Sequence, residues 1–428
     1  MEEGIEGVAA GEAVADPIAR STKAADDLYA FRDTYFPSDP VEKISALHQQ
    51  ANIALRILDD AFPLDQRKEP SQRASFEFLR GKILDVYPEY RKEAEDHLSK
   101  AVKLNPSLLD AWLCLGNCMW KKGDLSSARN CFSLALQKGP DKKILSQLSM
   151  LERRLAQGAE NQCEMVDESI RHAKEAVMLD VRDGYSWYIL GNAFLTSFFV
   201  AGAWEQRKLL QSIKAYQNAE KDEKANTNPD LYFNCAIANR YLENYERALS
   251  GFDAAASKDP SLNAKEEAGK IVDLLNKLED SILEKGSSRP RRISVAQSNA
   301  AVAKRYPSCR ISTINLLLEG QNETTVLEVV VLLFIRHDIT TPVYFLVLDS
   351  DDTHAILSVY GLHSNAIKEG DRLTLINPFY RVVDFTWKAK AYYFKSLRVD
   401  FLEQIHINGM LADQRYAIRN SIHAHHVP

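Results

Sequence analysis

No apolar run in this 428-residue sequence reaches the roughly 20 residues that a membrane-spanning helix requires. The N-terminal stretch MEEGIEGVAAGEAVADP carries acids where a secretory signal needs a basic segment followed by an apolar one, and it lacks the arginines of a transit peptide. Cysteine is sparse and scattered: Cys114, Cys118, Cys131, Cys163, Cys235 and Cys309 form no C-x2-C pair, so a zinc ribbon or redox pair is not signalled. With no secretory signal, a reducing compartment is expected, cytoplasmic and nuclear. Enzyme signatures are missing too: no phosphate-binding G-x4-G-K-[ST], no G-x-S-x-G, no H-E-x-x-H and no kinase set. A non-enzymatic protein without cofactor or metal is expected. Asp349, Asp351 and Asp352 lack the Gly and closing Glu of a calcium loop and read as a turn. His423, His425 and His426 read as a terminal tail.

Strong charge of one sign is also missing. The net charge is −6, and the first 60 residues, with 12 acids and 5 bases, account for all of it, leaving about +1 for the rest. That argues against a nucleic-acid binder along the whole chain and leaves a local basic patch open.

What the sequence has is a repeat of about 34 residues. Trp112, Leu115 and Gly116 are followed by Ala128, Phe132, Ala135 and Pro140, giving W-x2-L-G and then A-x3-F-x2-A-x4-P. This is the tetratricopeptide pattern. Its small residues sit where two antiparallel helices approach closely, its large ones fill the space around them, and the proline stops the second helix. Ala94, Leu98, Ala101 and Pro106 repeat the second-helix spacing, as do Ala248, Phe252, Ala255 and Pro260. Trp187, Leu190, Gly191 and Phe194 repeat the first-helix signature, and a weaker unit is expected at 142–156 and 165–179. Five units are expected. Helices at 22–35 and 40–62 would cap one end and a polar-faced helix at 263–285 the other.

Composition changes at KGSSRPRRIS (285–294), which reads as a basic linker ahead of a domain able to fold alone. Strand signals follow at 324–336, 343–348, 355–360, 371–376 and 391–399, with a short helix-like piece at 363–368. Five strands with that interruption suit an OB-fold barrel. The fold class expected is therefore α+β and multidomain, a tetratricopeptide solenoid followed by an OB-fold β-barrel. The expected boundaries are an acidic N-terminus at 1–21, the array at 22–284, the linker at 285–296, the barrel at 297–410 and a tail at 411–428.

Concave-face positions of the first helices include Asn117 and Trp120 in one unit, Tyr188 and Asn192 in another, and Phe233 in the last. Aromatics, amides and both charge signs suit a short peptide, though an ordinary amphipathic surface would have the same composition. The lysine that a chaperone-tail clamp needs four residues before each Asn is replaced by Leu113 and Tyr188, so that ligand is disfavoured. A second candidate surface is Phe379–Arg398, which spans the loop between the last two barrel strands. There Lys388, Lys390 and Lys395 alternate with aromatics, a pattern suited to single strands of nucleic acid. Linker residues Arg289, Arg291 and Arg292 would add phosphate contacts such as ribosomal RNA, and Ser294 follows them as a weak phosphorylation signal.

The segments KAVKLNPSLLDAW, CMWKKGDLSSARNCFSLAL, DVRDGYSWYILGNAFL, NPDLYFN and VLDSDD resemble the tetratricopeptide repeat protein 5 (Strap) family over about residues 26–401. The resemblance implies an adaptor of one of two kinds. One is a ribosome-associated reader of nascent tubulin N-termini that triggers decay of the tubulin messenger. The other is a nuclear, stress-responsive transcription cofactor that scaffolds acetyltransferase complexes. A bare single-strand nucleic-acid binder is a third reading. The resemblance also implies that Arg153 faces an acidic residue of the peptide and Asp230 a basic one. A third family acid would fall near Ala264, where this chain has Glu266 and Glu267 instead. A monomer with no membrane contact is expected.

Overall fold

Aspartate and proline decide where the helices begin. The side chains of Asp16, Asp39, Asp124 and Asp141 each accept a hydrogen bond from a backbone N–H of the first turn that follows them. Pro17, Pro40 and Pro70 stand at the first helical turn, where no N–H is needed. The computed structural model describes residues 16–37, 39–63, 69–202, 205–286, 304–339 and 341–417. Their helices form antiparallel hairpins: α1 (Pro17–Thr34) with α2 (Pro40–Ala61), α3 (Pro70–Leu84) with α4 (Lys92–Leu104), and α5 (Leu109–Lys122) with α6 (Leu125–Leu136). Then come the hairpin of α7 (Lys142–Ala156) with α8 (Gln162–Leu179), the helices α9 (Gly184–Val200) and α10 (Gln206–Ala219), α11 (Pro229–Tyr241) packed on α12 (Tyr245–Lys258), and the single α13 (Ala264–Gly286).

Repeat residues do what their types suggest. A Cβ on Gly116 would collide with the Phe132 ring, and one on Gly81 would lie 2.6 Å from Leu98 Cγ. Only glycine permits these helices to cross so closely. Trp112 donates its indole N–H to the Pro106 carbonyl at 2.9 Å, and Trp187 donates to the Val181 carbonyl at 2.9 Å. Each tryptophan thus pins the turn six residues before it.

The chain divides into two compact units. One holds Met1–Ala193, Asn218–Asn228 and Lys258–Ser261; the other holds Phe194–Gln217, Pro229–Ser257 and Leu262–Pro428. The division falls within the array, because α11, α12 and α13 share one apolar core with the barrel.

The strands are β1 (Arg310–Ser312), β2 (Gly320–Gln321), β3 (Thr325–Ile335), β4 (Val343–Leu348), β5 (His354–Val359), β6 (Arg372–Ile376), β7 (Phe379–Trp387), β8 (Lys390–Val399), β9 (Ile405–Ile407) and β10 (Met410–Leu411). β3 pairs with β4 on one side and β6 on the other; β4 pairs with β5, β5 runs parallel to β8, and β8 pairs with β7. β6 and β7 are one chain path bent at Asn377, whose φ is +51°, and Pro378. The bend closes the ring in the order of an OB barrel, with β6–β7 as its fourth strand. Phe345, Val347, Leu357, Leu375 and Leu397 fill the inside.

Two expectations are corrected. Residues 379–387, read as a loop, form strand β7 along the whole of β8, joined by a tight turn at Lys388 and Ala389, both at positive φ. Tyr380 and Val382 pack in the barrel core and Val383, Phe385 and Trp387 in the core shared with α13, so both faces of β7 are apolar and no polar–apolar alternation marks it as a strand. Residues 363–368 form turns rather than a helix.

Candidate peptide groove and the barrel joint

In the first unit, Arg153 lies in the last turn of α7 and is only 6% exposed. Its Nη1 donates to Ser149 Oγ at 3.0 Å and Ser169 Oγ at 3.3 Å. Both serines are fully buried. The pairing with Ser169 on α8 was not legible in the sequence, because the two serines lie 20 residues apart in the weakest repeat. The alternative of a solvated Arg153–Arg154 pair does not hold: Arg154 turns outward to Gln157 while Arg153 turns in. Tyr185 is partly exposed at the start of α9, its hydroxyl 3.4 Å from Met150 Sδ. Tyr188 and Asn192 are buried one and two turns further on, and Asn117 and Trp120 are partly exposed on α5. Beside Trp120, Lys121 donates to the carbonyls of Asp85 and Tyr87 and pairs with the buried Asp85 carboxylate.

In the second unit, Asp230 stands in the first turn of α11, half-buried. Phe233 packs edge-on to Phe252 with centroids 5.3 Å apart. Glu267 pairs with Arg240 and, at 2.8 Å, with Lys270, which also holds Glu266 at 2.9 Å. These pairs hold Glu267 below the ordinary carboxylate range against the opposing effect of burial. Both glutamates are thus engaged within their own unit.

The barrel meets α11–α13 through the face that OB domains use for oligonucleotides, the outer side of the second and third strands with the flanking loops. Here Tyr344 and Leu346 of β4, Ile356 of β5 and Phe394 of β8 share a core with Ile271, Leu274, Leu275 and Leu278 of α13. Around it lie polar contacts. Arg381 pairs with Glu243 at 2.7 Å and donates to the Leu242 carbonyl at 3.0 Å. Arg398 donates to the Tyr241 carbonyl at 2.8 Å and lies 4.0 Å from the centre of the Tyr360 ring.

The basic surface expected on this stretch is correspondingly changed. Lys388 pairs with Asp253 of α12 at 3.2 Å, and Lys390 with Glu279 of α13 at 3.1 Å. Lys395 donates to Asn315 Oδ1 at 2.5 Å. Lys388, at the β7–β8 turn, stays 70% exposed beside Asp253, and Lys390 is 47% exposed beside Glu279. Arg289, Arg291, Arg292 and Ser294 lie outside the described residues.

Burial pushes the Cys114 and Cys118 thiols up to about 12 and Cys131 to about 11, so all three are core side chains. Asp349 accepts backbone N–H bonds from Ile314, Asp351 and Thr353 and organises its turn. Glu152, Glu168 and His172 come together, but His172 is bonded to Glu152 and Arg171 to Glu168, an ion-pair cluster across the α7–α8 hairpin.

A tetratricopeptide array joined to an OB-type barrel whose second- and third-strand face packs on α11–α13 defines a protein-interaction adaptor. Residues 308–421 match the tetratricopeptide repeat protein 5 OB fold domain. Over 406 residues the chain is 35% identical to tetratricopeptide repeat protein 5 of Mus musculus, covering 90% of this chain and 91% of that one. It is 33% identical over 420 residues to the Homo sapiens protein, covering 93% and 94%. The chain belongs to the tetratricopeptide repeat protein 5 family. Among solved structures it is similar to YrrB, a tetratricopeptide protein with an unusual peptide-binding site. The identity there is 18%, with TM-score 0.34, over 48% of this chain and 94% of that one. A thermophilic tetratricopeptide protein of Thermus thermophilus is 16% identical, with TM-score 0.39, over 47% and 100%.

Proposed function

We propose that this adaptor reads a short N-terminal peptide, Met followed by a basic and then an acidic residue, as it emerges on the ribosome. In this reading the peptide is the start of tubulin, and its recognition marks the tubulin messenger for decay. Arg153 faces the acidic side chain and Asp230 the basic one, while Tyr188, Asn192, Asn117, Trp120 and Phe233 shape the surface around them. The work is cytoplasmic, with a nuclear pool.

The observation that carries the reading is Arg153 itself. A guanidinium that is 6% exposed, in a hairpin that also buries Ser149, Ser169 and Glu152, is costly to bury and gives little to folding that an apolar residue would not. A buried guanidinium held in a fixed orientation also suits a carboxylate ligand. Family membership supports the same assignment.

The test is fluorescence anisotropy with a peptide beginning Met-Arg-Glu, labelled at its C-terminus. Arg153→Ala or Asp230→Ala should weaken binding about 30-fold or more, the effect of truncating one partner of a desolvated charge pair. Both variants binding like wild type would overturn the reading. Purification with acetyltransferase subunits in place of ribosomes would then favour the nuclear scaffold. Ribosome contact is assigned to Arg289, Arg291 and Arg292 together with Lys388, Lys390 and Lys395, of which Lys388 stays 70% exposed beside Asp253.

A further inference from the structure

The structure assigns Ser149 and Ser169 as positioning residues that set the plane of the Arg153 guanidinium and so determine selectivity for a carboxylate. The inference rests on the reading of Arg153 as the partner of an acidic peptide residue.

The protons of the two serine hydroxyls can both be placed. Ser169 donates its hydroxyl proton to the Ser149 carbonyl at 2.8 Å. In the 2.9 Å contact between the two hydroxyls, the proton therefore comes from Ser149. With both protons placed, the lone pairs that remain on the two oxygens can only accept, and Arg153 Nη1 is the donor that reaches both. The guanidinium is rigid and planar, so holding one nitrogen at two points on two helices fixes the direction of the whole fork. The arrangement joins α7 to α8: Ser149 stands one turn before Arg153 on its own helix, and Ser169 reaches it from the neighbour.

The location argues for function over packing. Where α5 crosses α6, the chain uses Gly116 and Ala128, which bring no polar atoms to bury. Where α7 crosses α8 it buries two hydroxyls completely, and every bond they make is to each other, to one carbonyl or to Arg153. A pair of buried hydroxyls replaced together by apolar groups of similar shape is close to neutral for folding. Here the set has a third member, Arg153, whose buried N–H loses its acceptors when the serines go, so the serines are specific to the arginine. They leave the fork aimed before any ligand arrives, which lowers the ordering cost of binding and favours a planar, two-oxygen acceptor over a neutral amide.

The experiment measures selectivity, not affinity alone. Two peptides differing only in the third residue, Met-Arg-Glu and Met-Arg-Gln, are titrated against wild type, Ser169→Ala, Ser149→Ala, the double variant and Arg153→Ala. The expected result is that each serine variant lowers the Glu-to-Gln preference roughly fivefold to tenfold. Affinity for the Gln peptide should stay at the wild-type value, which shows that the groove is intact, while the melting temperature should fall modestly, because each truncation leaves a buried polar group short of a partner. A serine series with unchanged preference beside an Arg153→Ala variant that has lost it would overturn this proposal and leave the reading of Arg153 standing. Arg153→Ala with undiminished preference would overturn both.

Discussion

Arg381 of strand β7 reaches Glu243 at 2.7 Å, and the Glu243 side chain has no exposed surface. Glu243 sits in the turn between α11 and α12 at φ +56°, so the backbone itself presents the carboxylate to the barrel. The Tyr360 hydroxyl lies 3.0 Å from its other oxygen. Glu243→Ala should leave Arg381 facing a closed interface without its partner, at a cost of about 3–5 kcal/mol. Glu243→Gln, which keeps the shape, should cost less. Chemical denaturation compares the two, and an unchanged midpoint for Glu243→Ala would mean the joint does not contribute to stability.

Gly116 allows α5 to rest on the Phe132 ring of α6. Gly116→Leu should overpack that crossing and destabilise the array by about 1–3 kcal/mol. Thermal unfolding by far-ultraviolet circular dichroism checks it, and a retained melting temperature would remove the close-crossing argument.

The basic linker suggested a barrel able to fold alone. The shared core makes a different outcome expected. A fragment from Ser294 uncovers Tyr344, Leu346, Ile356, Tyr392 and Phe394 together, which form one apolar face. It should keep β structure yet self-associate and bind a hydrophobic dye. A fragment from Gln206 keeps α11–α13 and should be monodisperse. Sedimentation of the two decides the matter, and a monomeric, dye-negative short fragment would overturn it.

Closing that face also bears on nucleic acid. Lys388→Glu with Lys390→Glu places like charges against Asp253 and Glu279. The double variant should melt earlier than wild type, by an amount that shrinks as salt rises. Its binding to a single-stranded oligonucleotide should match that of wild type. A loss of oligonucleotide binding with unchanged melting would restore the basic-loop reading.

Burial pushes the Asp85 carboxyl above its usual range, more than the Lys121 ammonium pulls it back. The folded protein therefore binds this proton more readily than the unfolded chain, and the charged form works against folding at neutral pH. Asp85→Asn should raise stability at neutral pH. The gain should shrink as pH falls through the raised value and vanish below the ordinary aspartate range, where both residues are neutral. Denaturation midpoints across that range test the sign; a variant less stable than wild type at neutral pH would show that the Lys121 pairing prevails.

Much of this molecule was determined by local sequence. Trp112, Gly116, Ala128 and Phe132 specify a helical hairpin because their sizes and spacing admit one close crossing, and the same spacing returned at Trp187 and Ala248. Helix starts followed from aspartate caps and prolines, and β3, β4 and β5 from β-branched runs, since these preferences act over a few residues. The helices α5, α9 and α11, on which the groove positions were expected, followed from helical periodicity. Tertiary structure alone decided which charges are engaged. That Ser169 supports Arg153, that Glu243 meets Arg381, and that Lys390 faces Glu279 are pairings between residues 16 to 138 positions apart. No local preference encodes such a pairing, because it exists only once separate elements are brought together by the burial of their apolar faces. The same reason explains β7: its charged and aromatic side chains read as an exposed loop until α12 and α13 supplied the surface that they cover.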